Sequence, residues 1–329
     1  MKLNLSIVVI TKNEEKNIER CLDSLTKQLK NHSDWEIIVV DSASNDQTVK
    51  FACRYNCKII ELKANIYSAA LGRQVGYLYA KNKTIMFLDG DMEICNQWIE
   101  ESIYKLQKMS DEVVGIVGIR IDKVYKNNFF LHQNDNVYKI KEEGEVKNFG
   151  GALMIKKSIL DVVGGFDIRM VGNEEAELHS RILKENKKIW QIPVPMITHH
   201  TKYLSKVQKI RGMFSLRGLS LGTGLRLSIE KRNFKHYFIR LKKFLIPMTI
   251  EITTILLLVL FLIYKINVFI CLAIFIQIVY LMLVTIYANT TNFLLSKIMM
   301  FFCLVGVFLS VNIDYKVTVR TSNNSDKKT

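Results

Sequence analysis

Short, largely β-branched runs alternate with amphipathic stretches through the first third of the chain. Ser6-Ile7-Val8-Val9-Ile10 has the composition of a strand buried on both faces. Ile18, Cys21, Leu22 and Leu25 then keep helical spacing, with Thr11 or Asn13 placed to cap that helix. Trp35-Glu36-Ile37-Ile38-Val39-Val40 reads as a second buried strand, and the polar loop Asp41-Ser42-Ala43-Ser44-Asn45-Asp46 follows it. A helix through Val49 and Ala52 leads to a third strand at 58–62, and a helix over 69–80 leads to a fourth at 84–88. This alternation predicts an α/β fold with a parallel sheet. Right-handed crossovers bring the carboxyl ends of such strands to one edge, where ligands bind. Thr11, Asp41 and the triplet Asp89-Gly90-Asp91 each follow a strand, so three loops converge there.

The pattern changes further along. Residues 112–121 read as another strand, 123–147 as a polar, irregular and mobile loop, and 149–155 as a return to strand. Gly164-Gly165-Phe166-Asp167 marks a turn, and Asn173 is placed to cap a helix opening at Glu174. Residues 203–243 are helical and basic: Phe234, Tyr237, Phe238, Leu241 and Leu245 share one face, and lysines and arginines fill the rest. That arrangement suits a helix lying in a membrane interface.

Three apolar runs follow at 245–264, 266–287 and 293–313, interrupted by charge only at Glu251 and Lys297. Each has about 20 residues, and at about 1.5 Å per residue that covers the roughly 30 Å of a bilayer core. Lys265 alone separates the first two, which implies a tight hairpin. The expected division is therefore a catalytic-type domain at 1–200, basic interfacial helices at 201–243, two or three membrane spans at 244–313 and a polar tail at 314–329. Three crossings would put that tail opposite the first domain. Its Lys316, Arg320, Lys327 and Lys328 favour the same side.

Charge narrows the choice of partners. The formal net charge is +15, and much of it lies between Lys202 and Lys243, beside the apolar region. That placement favours anionic lipid, and no nucleic-acid-binding motif argues otherwise. The cysteines at 21, 53, 57, 95, 271 and 303 have no metal-site spacing and read as free thiols in a reducing compartment. The apolar run Leu5 to Ile10 is too short for a secretion signal, so the first two hundred residues are expected in the cytosol, on a multi-pass inner-membrane protein.

The chemistry-bearing residues come in a definite order: Ser6 to Glu14, Asp41 to Thr48, Arg73 within Ala70-Leu71-Gly72-Arg73-Gln74-Val75-Gly76, Asp89-Gly90-Asp91, and Glu174-Glu175-Ala176-Glu177-Leu178 with Arg181. Over roughly residues 5 to 200 this set resembles the family 2 glycosyltransferases, which have the GT-A fold, a Rossmann-like domain that binds nucleotide sugars. The resemblance implies transfer of a sugar from a nucleotide-diphosphate donor with inversion at the anomeric carbon. It implies Mn²⁺ or Mg²⁺ on Asp91, with Asp89 on ribose or a metal-bound water. A divalent cation would clamp the diphosphate, and hard oxygen ligands suit either ion. Asp41 would hold the nucleotide base with Thr11 and Asn13 beside it, and Arg73 would lie near the diphosphate.

Glu175 occupies the position of the base that takes the acceptor's proton, where the family usually has Asp. Glu174 and Glu177 flank it, and either His199 or His200 is a further candidate metal ligand. Gly150-Gly151 and Gly164-Gly165 allow close backbone approach near the acceptor. With the apolar tail, the expected acceptor is lipid-linked and presented at the cytosolic face, in cell-surface polysaccharide or glycolipid assembly. Two other readings are a processive polysaccharide synthase and a non-catalytic nucleotide-sugar-binding scaffold. The Gln-x-x-Arg-Trp motif of the former is not seen, and the acids at 89, 91 and 175 argue against the latter.

Overall fold

The computed structural model describes residues 2–146, 149–213, 215–287, 302, 303 and 305–321. The chain divides into two units, Met1–Gln208 with Val311–Thr329 and Lys209–Ser310.

In the first unit, β1 (Lys2–Thr11), α1 (Ile18–Leu29), β2 (Ser33–Asp41), α2 (Thr48–Ala52), β3 (Lys58–Ala64), α3 (Ala69–Tyr79) and β4 (Thr84–Asp89) follow the predicted alternation. α1 buries Ile18, Cys21, Leu22, Leu25 and Leu29, one stripe at helical spacing. α3 lies close over β1, because a Cβ on Gly76 would collide with the Val8 side chain. The strands are buried on both faces: Ile7, Val8, Val9, Ile38, Val40 and Phe87 are wholly or almost wholly inaccessible. Each such side chain contributes about 1.5–3 kcal/mol relative to exposure.

The chain continues through β5 (Met92–Ile94), α4 (Trp98–Lys108), β6 (Val113–Lys126), β7 (Phe129–Asn134), β8 (Gly144–Glu145), β9 (Leu153–Lys156), α5 (Lys157–Val163), α6 (Glu174–Lys184) and β10 (Lys188–Lys202). The sheet order begins with a strand from the end of the chain, β11 (Tyr315–Thr321), and runs β11-β3-β2-β1-β4-β9-β6-β10-β5. β3, β2, β1 and β4 are parallel, as predicted. The rest corrects an all-parallel sheet: β9 enters antiparallel between β4 and β6, while β5 and β11 are antiparallel to their neighbours.

Three local expectations are also corrected. The stretch 123–147 is not simply an irregular loop, since β6 runs on to Lys126 and pairs back with β7. Neither Thr11 nor Asn13 caps α1: its N-cap is Asn17, with no side-chain cap bond. Asn173 does stand at the N-cap of α6, but in a left-handed conformation (φ 55°) and without a side-chain cap. The expected polar tail supplies β11, paired with β3 over seven residues from Tyr315↔Ala64 to Thr321↔Lys58.

α7 (Lys206–Met213) leads into the second unit, which contains a 3₁₀ turn at Leu216–Leu219, α8 (Ser220–Glu230), α9 (Phe234–Tyr264) and α10 (Asn267–Tyr287). The basic helix and the first apolar run are one continuous helix of 31 residues. Its Tyr237 is buried against Gly224 of α8, whereas Phe234 is 45% exposed, so the predicted single apolar face is divided. The tight hairpin is present: Lys265 adopts a left-handed conformation (φ 56°) that ends α9, and Gln277 of α10 donates to Thr254 of α9 at 2.8 Å. Among the described residues no helix is long and apolar enough to cross a membrane, so two or three spans are not supported there. Part of the third run, 293–301 and 304, lies outside the described residues.

Candidate active site

Strand register builds the site. Thr11 pairs with Asp41 across β1 and β2, and Ile10 pairs with Asp89 across β1 and β4. The three strand ends therefore stop at nearly one level. Backbone bonds tie the loops together: Ser42 N–H donates to the Thr11 carbonyl and Gly90 N–H to that of Ile10, both at 2.9 Å. Gly90 is required by this closeness, since a Cβ there would lie 2.8 Å from Thr11 Oγ1.

On the β1–β2 side, Asn13 takes a left-handed backbone (φ 57°) and interlocks with the loop after β2. Its N–H donates to Ser44 Oγ at 2.8 Å and its Oδ1 accepts from Asn45 N–H at 2.9 Å. Ser44 in turn donates to both carboxylate oxygens of Asp41. Burial raises the Asp41 pKa above the ordinary carboxylate value, and the Ser44 bonds only partly offset it. Thr11 Oγ1 is buried and has no hydrogen-bond partner among the described residues.

Arg73 joins the centre of the site. It comes from α3 and is 2% exposed. Its Nη2 donates to Asp89 Oδ1 at 2.9 Å, and its Nη1 donates to Glu174 Oε1 at 2.6 Å and Glu175 Oε1 at 3.3 Å. Burial works against the guanidinium's charge, but Asp89, Glu175 and Glu174 together hold it more firmly protonated than usual. Gly151 makes room for this cluster: a Cβ there would collide with Asp89 Oδ2 and lie 2.6 Å from Arg73 Nη2.

Glu175 is only partly covered, whereas its neighbours Glu174 and Glu177 are buried. Desolvation, followed by the Glu174 charge, pushes the Glu175 pKa up to about 7, with Arg73 opposing. A carboxylate poised near neutrality is suited to accept a proton. Glu177 has a different part, because both its oxygens accept from Arg181, at 2.8 and 2.6 Å. That pair binds α6 to the end of α5, where Arg181 also donates to the Val163 carbonyl.

The other wall comes from β10 and β6. His199 and Asp122 are register partners, so their side chains meet on one face. His199 Nε2 lies 3.1 Å from Asp91 Oδ2, and its Nδ1 lies 3.1 Å from Asp122 Oδ1 and 2.8 Å from Arg120 Nη2. Burial disfavours the charged imidazole, but the Asp91 bond and charge outweigh it and raise the His199 pKa. His200 points to a separate pair, Tyr125 OH at 3.2 Å and Glu93 Oε2 at 3.3 Å, and burial lowers its pKa. Of the two histidines, His199 is the one beside Asp91.

The donor set fits a divalent cation that a nucleotide helps to hold. Asp91 Oδ1 is buried without a hydrogen-bond partner among the described residues. Among those residues no three His, Cys, Asp or Glu are grouped to hold an ion unaided. Mg²⁺ is characteristically bound by one or two protein groups, with substrate phosphates and waters completing its shell.

Three further residues line the site: Glu14, at the end of the first motif, and Arg120 and Tyr138, which belong to none. Glu14 lies near Asp91 and bonds Asn17 at 2.7 Å, with its pKa raised by burial. Arg120 grips Asp122 and hydrogen-bonds Tyr138, whose hydroxyl lies at Gly150. Arg120 and Asp122 stand two apart at the end of an apolar strand, and that period-two spacing was the available signal.

Acids at the ends of β2 and β4 and a helix-borne carboxylate thus lie at the carboxyl edge of the sheet, where ligands of such sheets bind. Residues 6–175 match the model of Glycosyl transferase family 2, and the chain belongs to that family of glycosyltransferases. It is 24% identical over 186 residues to glycosyltransferase AglE of Haloferax volcanii, a match covering 54% of this chain and 60% of that protein. It is 28% identical over 193 residues to UDP-Glc:alpha-D-GlcNAc-diphosphoundecaprenol beta-1,3-glucosyltransferase WfgD of Escherichia coli, covering 55% of this chain and 70% of that one. The chain thus spans less than two thirds of AglE. The fold is similar to the crystal structure of Staphylococcus aureus TarS 1-349 in complex with UDP-GlcNAc, with TM-score 0.55 and 20% identity over 74% of this chain and 72% of that one.

Proposed function

We propose that this glycosyltransferase moves a sugar, with inversion, from a nucleotide-diphosphate sugar to a lipid-linked acceptor at the cytosolic face of a membrane, in cell-surface polysaccharide or glycolipid assembly. The observation that carries the proposal is Glu175 joined through Arg73 to Asp89 on the sheet edge, with burial raising its pKa. The proposed base and the proposed donor site are thereby one bonded assembly.

In this reading the nucleotide lies across the loops of Thr11, Asn13 and Asp41, and Asp41 is held by Ser44 to receive the base. Asp91 and His199 would hold Mn²⁺ or Mg²⁺, which supplies charge stabilisation to the departing diphosphate. Asp89 is fixed by Arg73 toward the ribose or a water on the ion. Glu175 takes the acceptor hydroxyl's proton as that oxygen bonds to the anomeric carbon and the nucleoside diphosphate leaves.

A lipid setting is supported by the second unit. Leu256, Leu262, Ile263 and Phe275 are between 56% and 64% exposed on α9 and α10, which water would penalise and a bilayer would accept. The WfgD relative acts, by its name, on a diphosphoundecaprenol-linked sugar.

The direct test is a screen of nucleotide sugars with Mn²⁺ or Mg²⁺ and bacterial lipid extract, followed by mass analysis of the lipid fraction. The expected product is a lipid carrying one added sugar. Release of nucleoside diphosphate with no glycolipid would overturn the acceptor class, and no release from any donor would overturn the enzyme reading. A long polymer would instead establish a processive synthase.

A further inference from the structure

β6 outruns the main sheet. Beyond Asp122 it pairs only with β7 and β10, turns through Asn127 and Asn128, and returns. Both asparagines have positive φ (51° and 69°), the conformation that closes a two-residue hairpin tightly. All six residues of β7 are exposed. Phe129 is 77% exposed, Phe130 55% and Leu131 45%, consecutive at the ribbon's tip. Beside them the residues just after β10 present Tyr203, 45% exposed, and Leu204, 49% exposed.

This apolar patch is held in place. Tyr203 N–H donates to the Tyr125 carbonyl at 2.7 Å, and Lys126 Nζ lies 5.7 Å from the centre of the Tyr203 ring. The Tyr125 ring meets Phe130 edge-on at 6.0 Å and stacks on His200 at 5.8 Å. The patch is thus tied rigidly to the strand that carries His199.

Its tip is lysine-rich, with Asp135 just past β7, bonded by Gln133, and Asp122 at the base of the ribbon. Residues 123–134 and 198–208 contain Lys123, Lys126, Lys202 and Lys206 and no Asp or Glu. We propose that the β6–β7 ribbon and the end of β10 form a docking surface for an anionic lipid leaflet, with Phe129, Phe130 and Leu131 entering the headgroup and acyl boundary. Apolar side chains at a tip with lysines behind them are the combination an acidic bilayer surface attracts. A soluble anionic polymer would engage the lysines and leave the Phe-Phe-Leu tip in water. Docking brings the mouth of the site, one residue from His200, to the leaflet that presents the acceptor. The inference extends the membrane reading given above, yet it concerns a different part of the chain from the apolar hairpin.

The test uses full-length protein mixed with vesicles containing phosphatidylglycerol with brominated acyl chains. The fluorescence added by Phe129→Trp, taken as the difference from the unsubstituted chain, is expected to be blue-shifted and at least halved by the bromine. Lys123→Glu with Lys126→Glu in the same background is expected to remove most of that quenching. Unquenched, water-like emission from protein that does float with the vesicles overturns the docking surface and leaves the apolar hairpin as the anchor. Protein that fails to float at all overturns both. Binding of soluble polyphosphate that Lys123→Glu with Lys126→Glu abolishes, with no quenching by the brominated lipid, assigns the patch to an anionic polymer and also overturns the proposal.

Discussion

Arg73 Nη2 donates to Asp89 Oδ1 across 2.9 Å, from the third helix to the end of the fourth strand. The other nitrogen of the fork holds Glu174 and Glu175 at the start of α6. One buried guanidinium thus sets the distance between the acid nearest the proposed donor and the acid that would activate the acceptor. Such planar, multidentate geometry is what arginine supplies and lysine does not.

Glu175→Gln is expected to cut sugar transfer by about 10²–10⁴-fold, the usual contribution of a general base. Its stability should move the other way. A carboxyl whose folded pKa is raised favours the fold while protonated, and that contribution is lost as pH rises through about 7. The variant should therefore melt higher than the parent at pH 8 and close to it at pH 4. Paired activity and thermal-melt measurements check both; transfer within tenfold of the parent would remove Glu175 from its role.

The acceptor kcat/KM of the unsubstituted enzyme should climb through about pH 7 to a plateau, since the base must be ionised. The Glu174 charge contributes to the raised value, so Glu174→Gln should move that limb to lower pH. A limb that stays in place would mean that another group governs it.

Gly151→Ala tests how tightly the site is packed. The added methyl would strike Asp89 Oδ2 and crowd Arg73 Nη2, so either the ion pair parts or β9 shifts. Overpacking of this kind costs about 1–3 kcal/mol. Activity should fall at least tenfold, with a lowered melting temperature; unaltered kinetics would show that the pair is dispensable.

Asp122→Asn addresses the imidazole behind Asp91. With Asp122 accepting from Nδ1, the Nε2 lone pair is free for a cation; with Arg120 donating to Nδ1, Nε2 instead carries the proton toward Asp91. Loss of such an outer partner typically weakens metal affinity 10–100-fold. Mn²⁺ titration by electron paramagnetic resonance, in the presence of a nucleoside diphosphate, reads this without turnover. Unchanged affinity would confine Asp122 to holding the strand together.

Much of this was written locally in the chain. β1 and β2 are largely β-branched runs and β3 and β4 short apolar ones, and Thr11, Asp41 and Asp89 stand out because each ends such a strand. Their partnerships were not local. Arg73 and Glu174 are 101 residues apart, and Asp122 and His199 are 77 apart. Neither α3 nor β6 announces which acid or imidazole its side chain will meet. The antiparallel entry of β9 depends on the gap left between β4 and β6, which periodicity does not encode. The β6–β7 ribbon resembles a loop in sequence because its outward residues have no buried face to impose alternation. In Tyr315–Thr321, Val317 and Val319 did alternate with polar residues, but the surrounding charge drew the reading toward a tail.

That last strand limits where the chain can go. β10 and β11 lie in one sheet, and the whole second unit is the excursion between them. A thread fastened to the same cloth at both ends must come back through any barrier it pierces. Any crossings that this excursion makes must therefore be even in number while β11 keeps its place on β3. The basic residues Lys316 and Arg320 then remain beside β3, where Arg320 pairs with Glu61 at 2.6 Å.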